Sequence, residues 1–207
     1  MPTSIRRQHR FAGLTPEERQ AQRRALLLDA GFDLLGAEGW DATTVRAIVE
    51  RAQLNPRYFY ESFTDIDELV IAVYDRVVDE LAHEVLAGLE TMPAADPAAQ
   101  GREVVRRIVE FVDADRRRGH VLYVEGLGSE VLNRRRIEAG RAVIASFEQF
   151  DAQPFTHLQR AAAAIGVGGL SQLLRDWIAG AIDITRDQLI DDASMLLLAV
   201  VKASGRA

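Results

Sequence analysis

Apolar residues recur along this chain three and four positions apart, and no segment alternates with the period of two expected of a half-buried strand. Thr15-Pro16-Glu17-Glu18 is a helix start: Thr caps, Pro suits the first helical position, and Glu18 stands where a capping box needs it. Leu27, Leu28, Ala30, Phe32, Leu34 and Leu35 then give that helix an apolar stripe until Gly39 ends it. Val45, Ile48, Val49 and Ala52 fall at i, i+3, i+4 and i+7, which predicts a short helix packed on one face. Gln53-Leu54-Asn55 reads as a turn; Asn55 can cap the next helix, Pro56 fits its first position, and the helix runs to about Phe63. Thr64-Asp65 with Glu68 opens a longer helix reaching to about Glu90. At about 1.5 Å per residue such a helix spans roughly 35–40 Å, enough to leave one unit and enter another.

Residues 91–97, with two prolines, form a loop. A helix follows to about Arg118, with Val104, Val105, Ile108, Phe111 and Val112 facing inward. Gly119, Gly126 and Gly128 interrupt the apolar segment 120–132, which predicts short helix and turns. Further helices are expected over 133–150 and 155–181, the latter with Leu170, Leu173, Leu174, Trp177 and Ile178 on one face. Thr185 to Gln188 caps the last helix, which carries Leu189, Ala193, Leu196, Leu197 and Val200. The expected fold class is all-α. A three-helix N-terminal unit, residues 1–64, is joined by the long helix to a larger helical unit, residues 65–207.

Composition narrows the function. The 207 residues are 48% hydrophobic and 27% charged, ordinary for a globular protein. No apolar run approaches the roughly 20 residues that span a bilayer, and no leader-like apolar segment follows the N-terminal arginines, so a cytoplasmic protein is expected. There is no cysteine, which excludes disulfides, thiol chemistry and Cys-ligated metals within this chain. The net charge of −6 is unevenly spread. Residues 1–57 hold nine Arg against seven acidic residues, and within them Arg6, Arg7, Arg10, Arg19, Arg23 and Arg24 face only Glu17 and Glu18 at the start. A basic head on an acidic body suits a protein that meets phosphate at one end.

Enzymatic motifs fail on inspection. Glu80-Leu81-Ala82-His83 has the spacing of a di-iron bundle helix, but His120 and His157 lack the Glu of a second copy. Gly166-Val167-Gly168-Gly169 has no Lys after it and sits mid-helix, where glycines permit close helix approach. There is no HExxH and no GxSxG, so neither catalysis nor a cofactor is expected. The Arg116-Arg117-Arg118 and Arg134-Arg135-Arg136 runs read as solvated charges at helix ends or loops. The strongest signal is the second short helix, crowded with Arg and Tyr rather than with core residues. Its N-terminal turn carries Asn55, Pro56, Arg57 and Tyr58, where a DNA-reading helix needs free side chains. Arg57 can pair bidentately with guanine. Tyr60, Thr43 and Thr44 can reach phosphate oxygens, Arg46 is a second groove candidate, and Phe59 and Phe63 are anchors.

The block from Thr43 through Leu69 resembles the DNA-binding domain of the TetR family of one-component bacterial regulators. The resemblance is carried by Thr43-Thr44-Val45, Ile48 and Ala52, Tyr60 and Phe63, Asp67-Glu68-Leu69, and the preceding Glu38-Gly39-Trp40. It covers the first third of the chain, the rest agreeing in helical layout. Two departures stand out: Gln53 where the family often has Gly, and Ile66 where it commonly has a phosphate-binding Lys. The resemblance implies a homodimeric repressor on a pseudo-palindromic double-stranded DNA operator, released by a small-molecule effector. It places the dimer interface on the last two helices, whose Leu-rich faces and Trp177 would supply apolar area. It places the effector in the C-terminal unit, with Tyr74, Phe111, Tyr123, Phe147 and Gln172 as candidate pocket residues. The alternative is an all-α small-molecule-binding or interaction protein that has lost DNA binding, favoured only by Ile66.

Overall fold

The structure, a computed structural model, describes Gly13 and residues 15–92, 96–124, 129–149 and 154–205. Among these residues the regular elements are helices: α1 Pro16–Glu38, α2 Val45–Arg51, α3 Pro56–Tyr60, α4 Ile66–Glu90, α5 Pro97–Ala114, α6 Arg116–Gly119 running into a π-helical turn His120–Val124, α7 Glu130–Gln149, α8 His157–Ile178 and α9 Arg186–Ala203. No helix is long and apolar enough to cross a membrane among the described residues.

Local chemistry sets most of the starts. Thr15 and Glu18 close a reciprocal capping box, as do Thr156 with Gln159 and Thr185 with Gln188. Thr44, Asn55, Asp65 and Asp96 each accept a backbone N–H in the first turn of α2, α3, α4 and α5. The helix expected to continue through Arg118 stops instead at Ala114. Asp115 is extended, with φ −149° and ψ 102°, and its carboxylate accepts the Arg117 N–H at 3.0 Å, restarting the chain as α6. α7 also starts earlier than expected, at Glu130, and α8 is shorter than residues 155–181.

α1 packs on α2, α3, α4 and α6; α4 runs on to pack against α5, α7 and the π turn; α8 and α9 pack on each other and close the far side. One buried cluster runs from Leu27, Leu35, Ile48 and Phe59 through Leu69, Val73 and Val77 to Val109, Leu174 and Leu189. The junction of α1 with the rest is polar as well as apolar. Asp29 pairs with Arg76 and Asp33 with Arg117, both at 2.7 Å. The two guanidinium carbons lie 5.8 and 4.9 Å from the Phe32 ring centre. A Cβ added at Gly36 would stand 2.6 Å from that of Arg117, so α1 and α6 touch at backbone range.

The first arginine run is more than solvated charge, whereas Arg134 in the second is 68% exposed. The Arg116 guanidinium lies 3.8 Å from the Trp177 ring centre, and Arg118 lies 4.2 Å from Phe111. Trp177 itself is buried, its indole N–H donating to the Ile184 carbonyl at 3.2 Å, so it faces the protomer's own core rather than an outer surface. Leu174 and Leu189 are likewise fully buried.

Glu103 on α5 accepts from the Nε of Arg106 and of Arg107, each at 2.8 Å, and these cations hold its carboxyl down to about 2. A carboxylate depressed by folding stabilises the protein above its unfolded value near 4.5 and loses that contribution as pH falls toward 2. Glu103→Gln is expected to lower stability at pH 7 by about 0.5–1.5 kcal/mol and to flatten the acid limb between those values. Urea unfolding across this pH range measures both, and parallel acid limbs for the two proteins would remove Glu103 from acid sensitivity.

Candidate nucleic-acid interface

A helix of five residues has too few internal hydrogen bonds to persist alone, so α3 is held by what surrounds it. Val49 accepts the Leu54 N–H at 2.9 Å, closing the turn after α2. Gln53 lies in the left-handed region at φ 57°, a conformation that costs a residue with a Cβ about 1–2 kcal/mol. Asn55 then accepts the Arg57 N–H at 3.0 Å. Phe59 is fully buried and Phe63 nearly so, their rings 5.7 Å apart. With these anchors inside, the rest of α3 turns outward.

Tyr60 is 63% exposed, its ring meeting Phe59 edge-on at 5.3 Å. The Arg57 side chain is 69% exposed, with its guanidinium carbon 4.7 Å from the Tyr58 ring centre and its Nη2 donating to the Tyr58 hydroxyl at 3.3 Å. Arg23 of α1 lies 4.4 Å from the centre of the same ring and pairs with Glu61 at 3.3 Å. Gln20 donates to the Glu61 carbonyl at 3.3 Å. Two cations from different helices therefore meet on one tyrosine, and α1 steadies the exposed face of α3. Sequence reasoning missed Gln20, Arg23 and Glu61, because a contact between residues 38 to 41 positions apart leaves no local periodicity.

Thr44 and Arg46 are exposed on α2, Asn55 and Pro56 on the first turn of α3. The Thr44 hydroxyl accepts the Ala47 N–H at 3.2 Å, which leaves its own proton to donate outward. Thr43 differs. It is buried, and its hydroxyl donates to the Gly39 carbonyl at 2.7 Å, so it ties the α1–α2 loop together instead of offering a proton to an outside phosphate. Ile66 is half-buried against the core. Arg6, Arg7 and Arg10 lie outside the described residues.

The candidate pocket residues do not converge on one cavity. A groove of about 980 Å³ opens where α1, α4 and α5 meet, and Arg24, Asp79, Glu80, His83, Phe111 and Arg118 line it. Phe111 is the one sequence candidate found there. Tyr74 is buried on α4 and Tyr123 sits in the π turn. Gln172 is exposed on α8, bonded to Arg175 and Asp176. The Phe147 side chain lies outside the described residues.

A short, outward-facing helix seated on a helical N-terminal bundle, and continued by one long helix into a helical body, has the layout of a helix-turn-helix unit joined to a larger helical one. Residues 27–73 match the family model for bacterial regulatory proteins of the tetR family. No curated protein sequence matches the chain significantly. Among solved structures it is similar to a TetR-family transcriptional regulator from Streptomyces coelicolor, at 20% identity and a TM-score of 0.72, covering 92% of this chain and 83% of that one. It is also similar to a transcriptional regulator from Rhodococcus sp. RHA1, at 18% and 0.71 over 87% and 96% of the two chains. A fatty acid degradation regulator from Bacillus halodurans matches at 15% and 0.68 over 85% and 94%. At such identities the likeness is one of fold.

The strained turn yields a test. Gln53 is exposed, so its replacement removes no packing. Gln53→Gly is expected to raise unfolding stability by about 0.5–1.5 kcal/mol, strain relief outweighing the added freedom of the unfolded chain. A lower urea midpoint for the variant would show that the Gln53 side chain contributes more than its backbone costs.

Proposed function

We propose that this regulator is a dimeric repressor that holds a pseudo-palindromic operator and releases it on binding a small molecule. The observation that carries the reading is the seating of α3: Phe59 fixes the helix from inside while Arg57 and Tyr60 stand clear of the surface. Residues 1–64 are the DNA-binding unit. Arg57 is assigned to a base edge, and Tyr60, Thr44 and Arg46 to the phosphates on either side, with Asn55, Pro56 and Tyr58 shaping the turn that enters the groove. Residues 65–207 bind the effector and pair with a second copy.

The pairing face is the outer side of α8 and α9. Leu158, Ile165, Met195 and Leu196 are 58 to 63% exposed there, with the open glycines Gly168 and Gly169 further along α8. So much apolar side chain on two neighbouring helices marks an interaction surface. Small residues let two such helices approach closely. Two-fold pairing places two copies of α3 about 34–36 Å apart, one helical turn of DNA. The rival reading, a binding protein without DNA affinity, rests on Ile66 alone, and an Ile in place of Lys there removes one phosphate contact among several.

Selection of bound duplexes from a random library should recover an inverted repeat, with affinity falling steeply as salt rises; a flat salt response would end the operator reading. Arg57→Ala should weaken discrimination at one base pair per half-site by about 1–3 kcal/mol, whereas Tyr60→Phe should weaken all sequences alike. Sedimentation of an Ile165→Asp, Leu196→Glu double variant should yield a folded monomer. A dimer that survives both charges would place the interface elsewhere.

A further inference from the structure

From Ala52 through Phe63, the span that holds the turn and α3, Glu61 is the one acidic residue in the sequence. It caps the C-terminal end of α3, its N–H donating to the Arg57 carbonyl at 3.1 Å. Its side chain is 42% exposed and stands one helical turn from that of Arg57. A carboxylate beside phosphate is unfavourable by charge alone. Nor does stability call for it, since partly exposed ion pairs contribute little. Glu61 is nevertheless firmly held. Arg23 of α1, only 16% exposed, brings its Nη2 to Oε2 at 3.3 Å, and Gln20 donates to the Glu61 carbonyl at 3.3 Å. These two contacts fix Glu61 to α1 and leave its other oxygen, Oε1, 3.8 Å from the Nε of Arg57.

A guanidinium carries its N–H donors in a rigid plane, so the edge that is engaged decides what the rest can reach. With Nε turned to Glu61 and one Nη2 proton given to the Tyr58 hydroxyl at 3.3 Å, Nη1 and the second Nη2 proton form the end of the fork. That end supplies the paired donors that meet guanine O6 and N7. The Tyr58 ring, 4.7 Å from the guanidinium carbon, offers a face with no preference among edges, whereas a carboxylate at Nε chooses one. At 3.8 Å the contact is an ion pair rather than a hydrogen bond, close enough to bias the side chain and loose enough to let it advance onto a base.

We propose that Glu61 is a positioning residue for base readout: anchored on α1 by Arg23 and Gln20, it holds the Nε edge of Arg57 and turns the fork outward, while its charge disfavours phosphate contacts made out of register. The inference rests on the reading of Arg57 as the base-contacting residue given above. It makes α1 part of the specificity of the site, and it joins an attractive device to a repulsive one, as discrimination between related complexes commonly requires.

Base preference and general affinity, measured separately on the full-length protein, test it. Arg57→Ala locates the base pair that Arg57 discriminates in the selected duplex. Each variant is then titrated, over a range of salt, with that duplex, with the same duplex substituted symmetrically at that pair, and with an unrelated duplex. Glu61→Gln keeps the size of the side chain and removes its charge. It should reduce the base preference about three-fold or more and raise affinity for the unrelated duplex about two-fold or more. Arg23→Gln should move both in the same directions by less. In an Arg57→Ala background Glu61→Gln should leave base preference unchanged, because nothing remains to be positioned. An equal loss on all three duplexes with a lowered melting temperature would reduce Glu61 to a structural cap and overturn the proposal. So would an unchanged base preference in Glu61→Gln, or a selected duplex with no base pair sensitive to Arg57. A loss of preference that persists without Arg57 would overturn it too, making Glu61 a reader of cytosine in its own right. If Glu61→Gln fails in any of these ways while an inverted repeat is still selected, the operator reading stands and only the role of Glu61 falls. A protein that retains no duplex at any salt loses both.

Discussion

The exposed face of α3 hangs on the burial of Phe59. α3 is five residues long and cannot hold its own shape, so its direction is decided by the side chain it sinks into the core. Phe59 has no exposed surface, and truncating such a ring in a close-packed site removes about 3–5 kcal/mol of packing. That single insertion aims Arg57 and Tyr60 outward, since residues one and two positions away on a helix cannot share its inward face. The strained Gln53 turn and the Asn55 cap are consequences of the same requirement. The chain must reverse quickly enough to bring Phe59 back onto the floor made by α1 and α2.

That floor is also the point at which the rest of the molecule grips the N-terminal helices. α1 presents Asp29, Phe32 and Asp33 on one face, and Arg76 and Arg117 close on them from α4 and α6. Each guanidinium satisfies an acid and lies against the same ring, so the contact has direction as well as strength. Gly36 lets the α6 backbone come within van der Waals range of α1. A displacement of α6 would carry Arg117 and, through Asp33, lean on α1. The π turn follows α6 without a break and itself packs on α1, with Tyr123 six residues along the chain from Arg117.

The elements that the sequence makes plain are those whose signals are local. Capping residues mark the starts of α1, α2, α3, α4 and α9, and apolar spacing shows which faces of α1, α2 and α5 turn inward. What stays hidden depends on partners far away in the chain. Arg116, Arg117 and Arg118 read alike as surface charges, yet they go to Trp177, Asp33 and Phe111 respectively. Trp177 sits on an apolar stripe that could equally face a second copy or the protomer's own core. Arg116 lying over its ring, and the indole hydrogen bond to Ile184, decide for the core. Asp115 breaks a helix that periodicity would continue, because its carboxylate gains more as a cap for α6 than as one more helical residue. Thr43 and Thr44 are identical in type and adjacent in sequence. Only the loop geometry turns one hydroxyl inward to Gly39 and the other outward.

The same logic separates the two arginine neighbours Arg135 and Arg136. α7 delivers Arg135 to Asp75 at 2.6 Å and leaves the half-buried Arg136 without an ion pair among the described residues. Replacement of a half-buried cation by an apolar residue is commonly neutral or stabilising, so stability alone does not call for arginine there. Departures from local consistency of this kind gather where a protein meets a ligand. The N-terminal counterpart is Gln53, a side chain held in a glycine's conformation just before the exposed α3. At Gln53 the fold tolerates a local backbone cost, and that cost sits next to Arg57 and Tyr60, the α3 side chains that stand clear of the surface.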